Sequence, residues 1–123
     1  MNPTVAQVVA ALAILLTLLS LNVSRLRLKY RVSYGDGGHT DLVVAIRAHG
    51  NALEQCLLFA VLMLALQSQS TSDAAGLAWL GSVFLLARVV HPLAMFGRWL
   101  RLRQLAHITS LLAQLTAAWM LLR

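Results

Sequence analysis

The segment AIRAHGNALEQCLLFAVLMLAL, residues 45–66, joins a membrane-like half to a polar half. Its last ten residues are all apolar, whereas Arg47, Asn51 and Glu54 lie in its first half. About 20 apolar residues in a helix cross the roughly 30 Å hydrocarbon core of a bilayer. We therefore predict a transmembrane helix that carries polar side chains inside the membrane, where charged groups are costly and usually functional.

The composition of the whole chain also indicates a membrane protein. Hydrophobic residues make up 59% of the 123 residues and charged residues 11%, against roughly 25% charged in soluble domains. The length predicts one domain, residues 1–123. The net charge is +6, but nucleic-acid binding requires the basic residues on a water-facing surface. Because the apolar segments leave no soluble domain to carry such a surface, no nucleic-acid partner is expected.

Four segments are long and apolar enough to span a bilayer, so the predicted fold is an all-α bundle of four transmembrane helices. The predicted spans are residues 4–23, 42–66, 74–96 and 104–122. Asn2 can cap the first span, and Pro3 suits its first turn. The glycine-rich stretch YGDGG, residues 34–38, predicts a turn. Cys56, the single cysteine, is predicted to be a small buried residue.

Basic residues divide unequally among the three predicted loops. Loops 24–41 and 97–103 contain seven of them, whereas loop 67–73 contains none: Arg25, Arg27, Lys29, Arg31, Arg98, Arg101 and Arg103. Both basic loops lie on the same side of a four-span bundle. The positive-inside rule makes that side cytoplasmic. We therefore expect an integral, multi-pass membrane protein, surrounded by lipid, with both termini facing the periplasm or lumen.

Polar side chains follow matching faces of the second and third spans. Arg47, Asn51 and Glu54 are spaced i, i+4 and i+7, so they form one stripe of a helix. Arg88 and His91, spaced i and i+3, share a face of the next helix. Both stripes lie toward the cytoplasmic ends of their helices. Because intramembrane charges face a bundle interior or an aqueous cavity, this pattern predicts a polar pocket between the two helices that opens to the cytoplasm.

The residues themselves leave two interpretations of this pocket open. Glu54 can pair with Arg47 or Arg88 and hold the helices in register, as some buried ion pairs do. Alternatively, two arginines and one glutamate form a net positive pocket that binds an anion. His91 fits either a hydrogen-bonded core position or a ligand contact. No metal site is expected, because the histidines lack ligand spacing and no carboxylate cluster joins them.

Residues 25–54, RLRLKYRVSYGDGG…AIRAHGNALE, resemble the signature region of the MAPEG family, the membrane-associated proteins in eicosanoid and glutathione metabolism. The most specific element is R-x-x-x-N-x-x-E at Arg47, Asn51 and Glu54. ARVVH, residues 87–91, resembles the arginine-bearing third helix of the family. The resemblance implies a left-handed four-helix bundle that assembles as a homotrimer and binds glutathione between subunits, facing the cytoplasm. It is closest to small bacterial members, which implies a bacterial inner membrane and periplasmic termini. Family enzymes activate its thiol for conjugation, isomerisation or peroxide reduction.

The resemblance also assigns residues to glutathione as cosubstrate. Arg47, Asn51 and Glu54 match positions that hold glutathione, and Arg88 matches an arginine of the third helix that contacts it. Chemically, guanidinium groups bind carboxylates through charge-assisted hydrogen bonds. Glu54 can bind the ammonium group. His91 stands where family synthases often carry a tyrosine, which is a departure from the pattern.

Basic residues of two further segments complete the implied site. Arg27 or Lys29 corresponds to a basic residue that ends the first helix. Arg103, or alternatively Arg101, corresponds to the arginine near the start of the fourth helix that stabilises the glutathione thiolate. A guanidinium beside sulfur favours the thiolate over the thiol. The thiolate would then meet a hydrophobic electrophile or lipid that enters from the membrane.

The predicted function is therefore glutathione binding in a membrane, with transferase-type or peroxidase-type activity on hydrophobic electrophiles. Two other classes are open. In one, the chain is a non-catalytic scaffold or lipid-binding bundle whose arginine–glutamate pairs are structural. In the other, it is a small multidrug exporter, but such proteins place an essential carboxylate in the first helix. Because the first span has no acidic residue and Glu54 is the only intramembrane carboxylate, the exporter ranks last.

Overall fold

The computed structural model describes residues 2–69 and 73–123. In these ranges the chain forms α1 (Pro3–Tyr30), α2 (Thr40–Gln67), α3 (Ala74–Phe96) and α4 (Leu100–Leu122). All four are long and apolar enough to cross a membrane, which confirms the prediction of an all-helical chain with four potential spans. Each predicted span lies inside one helix. Residues 70–72 of the predicted loop 67–73 lie outside the described ranges.

Both basic loops are shorter than predicted. Loop 24–41 is reduced to residues 31–39, and loop 97–103 to residues 97–99. The prediction ended the spans where the charged residues begin, but arginine and lysine are good helix formers. The helices therefore continue past their apolar segments. Basic residues in the last turn of α1 also interact favourably with the negative end of its dipole.

The N-termini of α1 and α3 are capped by the side chains of the residues that precede them. The Asn2 side-chain oxygen accepts a hydrogen bond of 2.9 Å from the backbone nitrogen of Thr4, and Pro3 lies in the first turn. Both features were predicted. Asp73 caps α3 in the same way by accepting a 2.9 Å bond from the backbone nitrogen of Gly76. Such caps satisfy backbone donors that have no partner inside the helix.

The stretch 34–38 forms the predicted turn between α1 and α2. Its three glycines have φ values between 58° and 80°, a region that residues with a Cβ rarely adopt. Tyr30, at the end of α1, stacks on His39 with 3.7 Å between ring centroids. Its hydroxyl donates a 2.6 Å hydrogen bond to Asp41 at the start of α2. These contacts hold the two helix ends together.

The main hydrophobic core lies at the end of the bundle that carries the chain termini. It draws residues from all four helices: Val5, Val8, Leu12, Cys56, Phe59, Met63, Leu66, Leu77, Leu80, Phe84, Ala113 and Ala117. Phe59 and Phe84 stack at 3.8 Å between centroids. Cys56 is buried, as predicted. The buried polar side chains therefore lie in the opposite half of the bundle.

Buried polar side chains form a layer beyond this core. They are Arg88 and His91 of α3 and Ser110 and Gln114 of α4. The Gln114 amide nitrogen donates to the backbone oxygen of Gln55 at 3.1 Å and to its side-chain oxygen at 2.7 Å. This bond pair ties α4 to α2 one residue from Glu54. The layer therefore fixes α2, α3 and α4 around the position where the polar stripes meet.

Candidate functional site

A cavity of about 510 Å³ opens between α2, α3 and α4. Its lining residues are Arg47, Gly50, Asn51, Glu54, His91, Met95, Arg103, Gln104 and His107. On each helix these residues recur mostly at spacings of three or four, because such positions share one face. Ligand pockets commonly measure roughly 300–1,000 Å³. The cavity is therefore large enough for a small peptide-sized ligand, and we refer to it below as the polar cavity.

The structure brings five of the predicted site residues to this cavity: Arg47, Asn51, Glu54, His91 and Arg103. Arg101, the alternative to Arg103, is exposed and does not line it. Two residues along a helix correspond to a rotation of about 200°. The two arginines therefore project from nearly opposite sides of α4, and only Arg103 faces the polar stripe of α2.

Arg27 and Lys29 do not reach the polar cavity of their own protomer. Arg27 donates a 2.6 Å hydrogen bond from Nη1 to the backbone oxygen of Gly35 in the 31–39 loop. The Lys29 ammonium lies 5.1 Å from the centroid of the Tyr30 ring. Both residues lie in the last turn of α1. Within one protomer they stabilise the end of α1 and its loop.

Arg88 lies behind the cavity wall. Its side chain is fully buried, and its Nη1 donates a 2.8 Å hydrogen bond to the side-chain oxygen of Asn51. The Nε and Nη2 atoms have no hydrogen-bond partner among the described residues. Because the oxygen of the Asn51 amide accepts the hydrogen bond from Arg88, the amide nitrogen can donate to another group. Arg88 therefore orients a residue of the cavity wall without lining the cavity.

The charged side chains of the polar cavity are not neutralised by one another. Arg47 and Glu54 are both exposed in the protomer, and across residues 2–69 and 73–123 no ion pair joins Glu54 to Arg47 or Arg88. Two arginines, Arg47 and Arg103, face one glutamate. The arrangement therefore offers separate sites for negative and positive groups, with an excess of positive charge.

His107 is a cavity residue that the sequence reasoning missed. Its ring faces that of His91 across the α3–α4 contact, with 6.0 Å between centroids and a tilt of 50°. The Nδ1 atoms of both rings are buried without a hydrogen-bond partner in the described part of the chain. The available signal was spacing, because His107 follows Arg103 by four residues and therefore shares its helical face.

A second cavity of about 320 Å³ adjoins the first toward the basic end of the bundle. The two share Arg47, Met95 and Arg103 in their linings. The second one also contacts Trp99 and Leu100, at the start of α4. Arg103 therefore lines both the cavity that carries the polar stripe of α2 and the cavity that Trp99 and Leu100 border.

Comparison with known proteins agrees with the four-helix arrangement. A model of the MAPEG family matches residues 5–123. The inner membrane protein YecN of Escherichia coli strain K12 is 40% identical over 96 residues, which cover 75% of this chain and 70% of that protein. YecN of Escherichia coli O6:H1 gives the same identity over the same length. The matched family region includes every residue that lines the polar cavity.

Proposed function

Since this chain belongs to the MAPEG family, we propose that it is a membrane-bound glutathione-binding protein of the transferase or peroxidase type. One observation carries the proposal. Arg47 and Glu54, charged side chains without ion-pair partners among the described residues, line the same cavity of about 510 Å³ together with Asn51 and Arg103. A membrane protein that keeps such groups unpaired at a cavity is suited to a ligand that supplies the partners.

Glutathione has the chemical groups that this cavity lacks. It carries two carboxylates, one ammonium group and a thiol. Arg47 can bind a carboxylate through paired, charge-assisted hydrogen bonds, and the Asn51 amide nitrogen can donate a further bond. Glu54 can accept the ammonium group. The ligand's net negative charge also offsets the excess positive charge of the cavity.

Arg103 is the proposed thiolate-stabilising residue. It lies where the polar cavity meets the second cavity, and a guanidinium beside a thiol favours the charged thiolate. Trp99 and Leu100 give the second cavity an apolar border. A hydrophobic electrophile that enters from lipid can therefore meet the nucleophilic sulfur at this junction.

We propose that a homotrimer completes the site. Within one protomer Arg27 and Lys29 lie at the end of α1, away from the polar cavity. In the subunit arrangement that the family resemblance implies, these residues would reach a glutathione bound by a neighbour. Apolar side chains on the outer face of α2, such as Leu57 and Val61, are more than half exposed in the protomer. A neighbouring subunit or lipid covers this surface.

The proposed location follows the relative YecN, which is named an inner membrane protein. We place this chain in the same membrane as a multi-pass protein. The basic loops 31–39 and 97–99, with the adjoining turns of α1 and α4, face the cytoplasm under the positive-inside rule. The termini then face the periplasm, and the polar cavity opens toward the compartment that contains glutathione.

Calorimetric titration of the detergent-purified protein with glutathione tests the proposal. Wild type is expected to bind, and Arg47→Ala is expected to lose at least about 1.5 kcal/mol, more than tenfold in Kd, because a charge-assisted hydrogen bond is removed. The matched control is Arg25→Ala on α1, whose guanidinium bonds to Asn22 at 2.9 Å. It should bind as wild type does. Absence of wild-type binding, or an equal loss in the control, contradicts the proposal.

A scaffold is the second candidate, because the Arg88–Asn51 hydrogen bond joins α3 to α2. If the polar residues serve only the fold, Arg47→Ala should lower the stability of the ligand-free protein. If they serve a ligand, that stability should stay within about 0.5 kcal/mol of wild type, as for surface positions in general. Unfolding of both proteins without glutathione separates the two functions.

A further inference from the structure

Two histidine rings face the polar cavity beside Arg103, and the proposed function so far gives them no role. His91 is 5% exposed and His107 is half-buried. Their ring centroids are 6.0 Å apart, and each has a buried Nδ1 that no described residue satisfies. The other two histidines differ, because His39 stacks on Tyr30 and His49 does not line the cavity. We call His91 and His107 the imidazole pair.

The charges around the imidazole pair come from three helices. Arg47 and Glu54 face it from α2, Arg88 lies three residues before His91 on α3, and Arg103 lies four residues before His107 on α4. Three guanidinium groups against one carboxylate make the surroundings of the rings net positive. A neutral imidazole has one nitrogen that can accept a proton.

Glutathione binding changes this balance. The ligand brings two carboxylates and one ammonium group, so the cavity gains one negative charge before any reaction. Moving the thiol proton onto a ring then leaves the total charge of the cavity unchanged. The resulting thiolate and imidazolium attract each other strongly in a medium of low dielectric constant. Loss of the same proton to water would instead leave the thiolate without that partner.

We propose that the imidazole pair accepts the proton of the glutathione thiol, so that the proton stays in the cavity when the thiolate forms. The inference rests on the proposed glutathione-binding function. The S–H bond breaks with its electron pair left on sulfur, and an N–H bond forms on one ring. The sulfur then attacks a carbon electrophile, and the departing or ring-opened atom takes the proton back from the imidazolium. The pair has then returned the proton that it took from the thiol.

Proton counting on the purified protein tests this step without any turnover. Titrations in two buffers with different protonation enthalpies give the number of protons exchanged on binding. Ultraviolet difference absorbance reports the thiolate. S-methylglutathione, which has no thiol proton, is the reference ligand. Wild type is expected to form the thiolate while exchanging the same number of protons with both ligands.

Substitutions of the rings complete the test. In the double variant His91→Gln/His107→Gln, glutathione should still bind. Either no thiolate should form, or binding should release about one proton more than binding of S-methylglutathione does. His49→Gln, the same change on a histidine outside the cavity, should behave as wild type. If the double variant does not fold, the single variants decide together, and at least one of them should show the same change.

Three results would overturn the inference. In the first, wild type releases one proton per thiolate formed. In the second, wild type binds glutathione without forming the thiolate. In the third, the ring variants keep the thiolate and release no extra proton. Absence of glutathione binding by wild type is a separate outcome, which removes the proposed function and with it this step.

Discussion

Arg88 on α3 donates a 2.8 Å hydrogen bond to the side-chain oxygen of Asn51 on α2. The guanidinium group is fully buried, yet its partner is a neutral amide. Its remaining nitrogens have no hydrogen-bond partner in the described ranges. Arg88 therefore contributes a buried positive charge behind the polar cavity and fixes the orientation of Asn51. The two residues should respond differently to substitution.

Asn51→Ala is expected to destabilise the ligand-free protein more than Arg88→Met does. Removing the amide leaves a buried guanidinium without its acceptor, which costs about 1.5–3 kcal/mol for a hydrogen bond to a charged group. Replacing the arginine by an apolar side chain removes the buried charge itself, and with it the cost of keeping that charge away from water. Asn51 is half-buried at the cavity, so water can satisfy it. Denaturant unfolding followed by circular dichroism measures both variants, and the reverse order would contradict this account.

The two arginines at the start of α4 provide a second comparison. Arg103 lines both cavities, whereas Arg101 is exposed and lines neither. Arg103→Ala should lower turnover of glutathione with a model electrophile at least tenfold, about 1.4 kcal/mol of transition-state stabilisation. Arg101→Ala should leave it within about twofold, as expected for a surface position. A larger loss in Arg101→Ala would assign thiolate stabilisation to the alternative residue.

Hydropathy predicted where the four helices lie and both ends of α3, but it missed the helix ends that lie in basic segments. There the predicted spans end where charges begin, whereas α1 continues until Arg31, in the left-handed conformation, ends it. Helical spacing correctly grouped Arg47, Asn51 and Glu54 on one face. Spacing does not reveal which faces meet, because that depends on how helices from distant parts of the chain pack.

Because the sequence does not show which helix faces meet, the structure places some site residues differently from the prediction. Arg88 and His91 share a face of α3, yet only His91 lines the cavity, because Arg88 lies deeper in the bundle. The packing of α4 against α3 brings the imidazoles of His91 and His107 together. The sequence alone does not show this contact, so His107 was not predicted. Arg27 and Lys29 lie outside the cavity of their own protomer, so their predicted role depends on the proposed assembly and stays a prediction.

Gly81 offers a test of the packing between α1 and α3. A Cβ added there would lie 2.7 Å from Cγ2 of Val8 and 3.4 Å from Cε of Met63. Valine side chains are stiff, so Gly81→Ala should separate the helices and cost about 1–3 kcal/mol of stability. Gly50→Ala is the matched control, because its added Cβ meets nothing within 4 Å. It should be neutral or stabilising, since alanine favours a helix by about 1 kcal/mol. Equal unfolding free energies for the two variants would contradict the packing.

The orientation in the membrane can be read from two single-cysteine variants. Ser33 and Ser68 are exposed and lie at opposite ends of α2, while the natural Cys56 is 1% exposed and should stay unlabelled in the wild-type control. A membrane-impermeant thiol reagent added to intact cells is expected to label Ser68→Cys only, if the basic loops are cytoplasmic. Ser33→Cys should react after permeabilisation. Labelling of Ser33→Cys in intact cells would invert the orientation and place the polar cavity toward the outside, away from cytoplasmic glutathione, so the proposed function would fail with the topology.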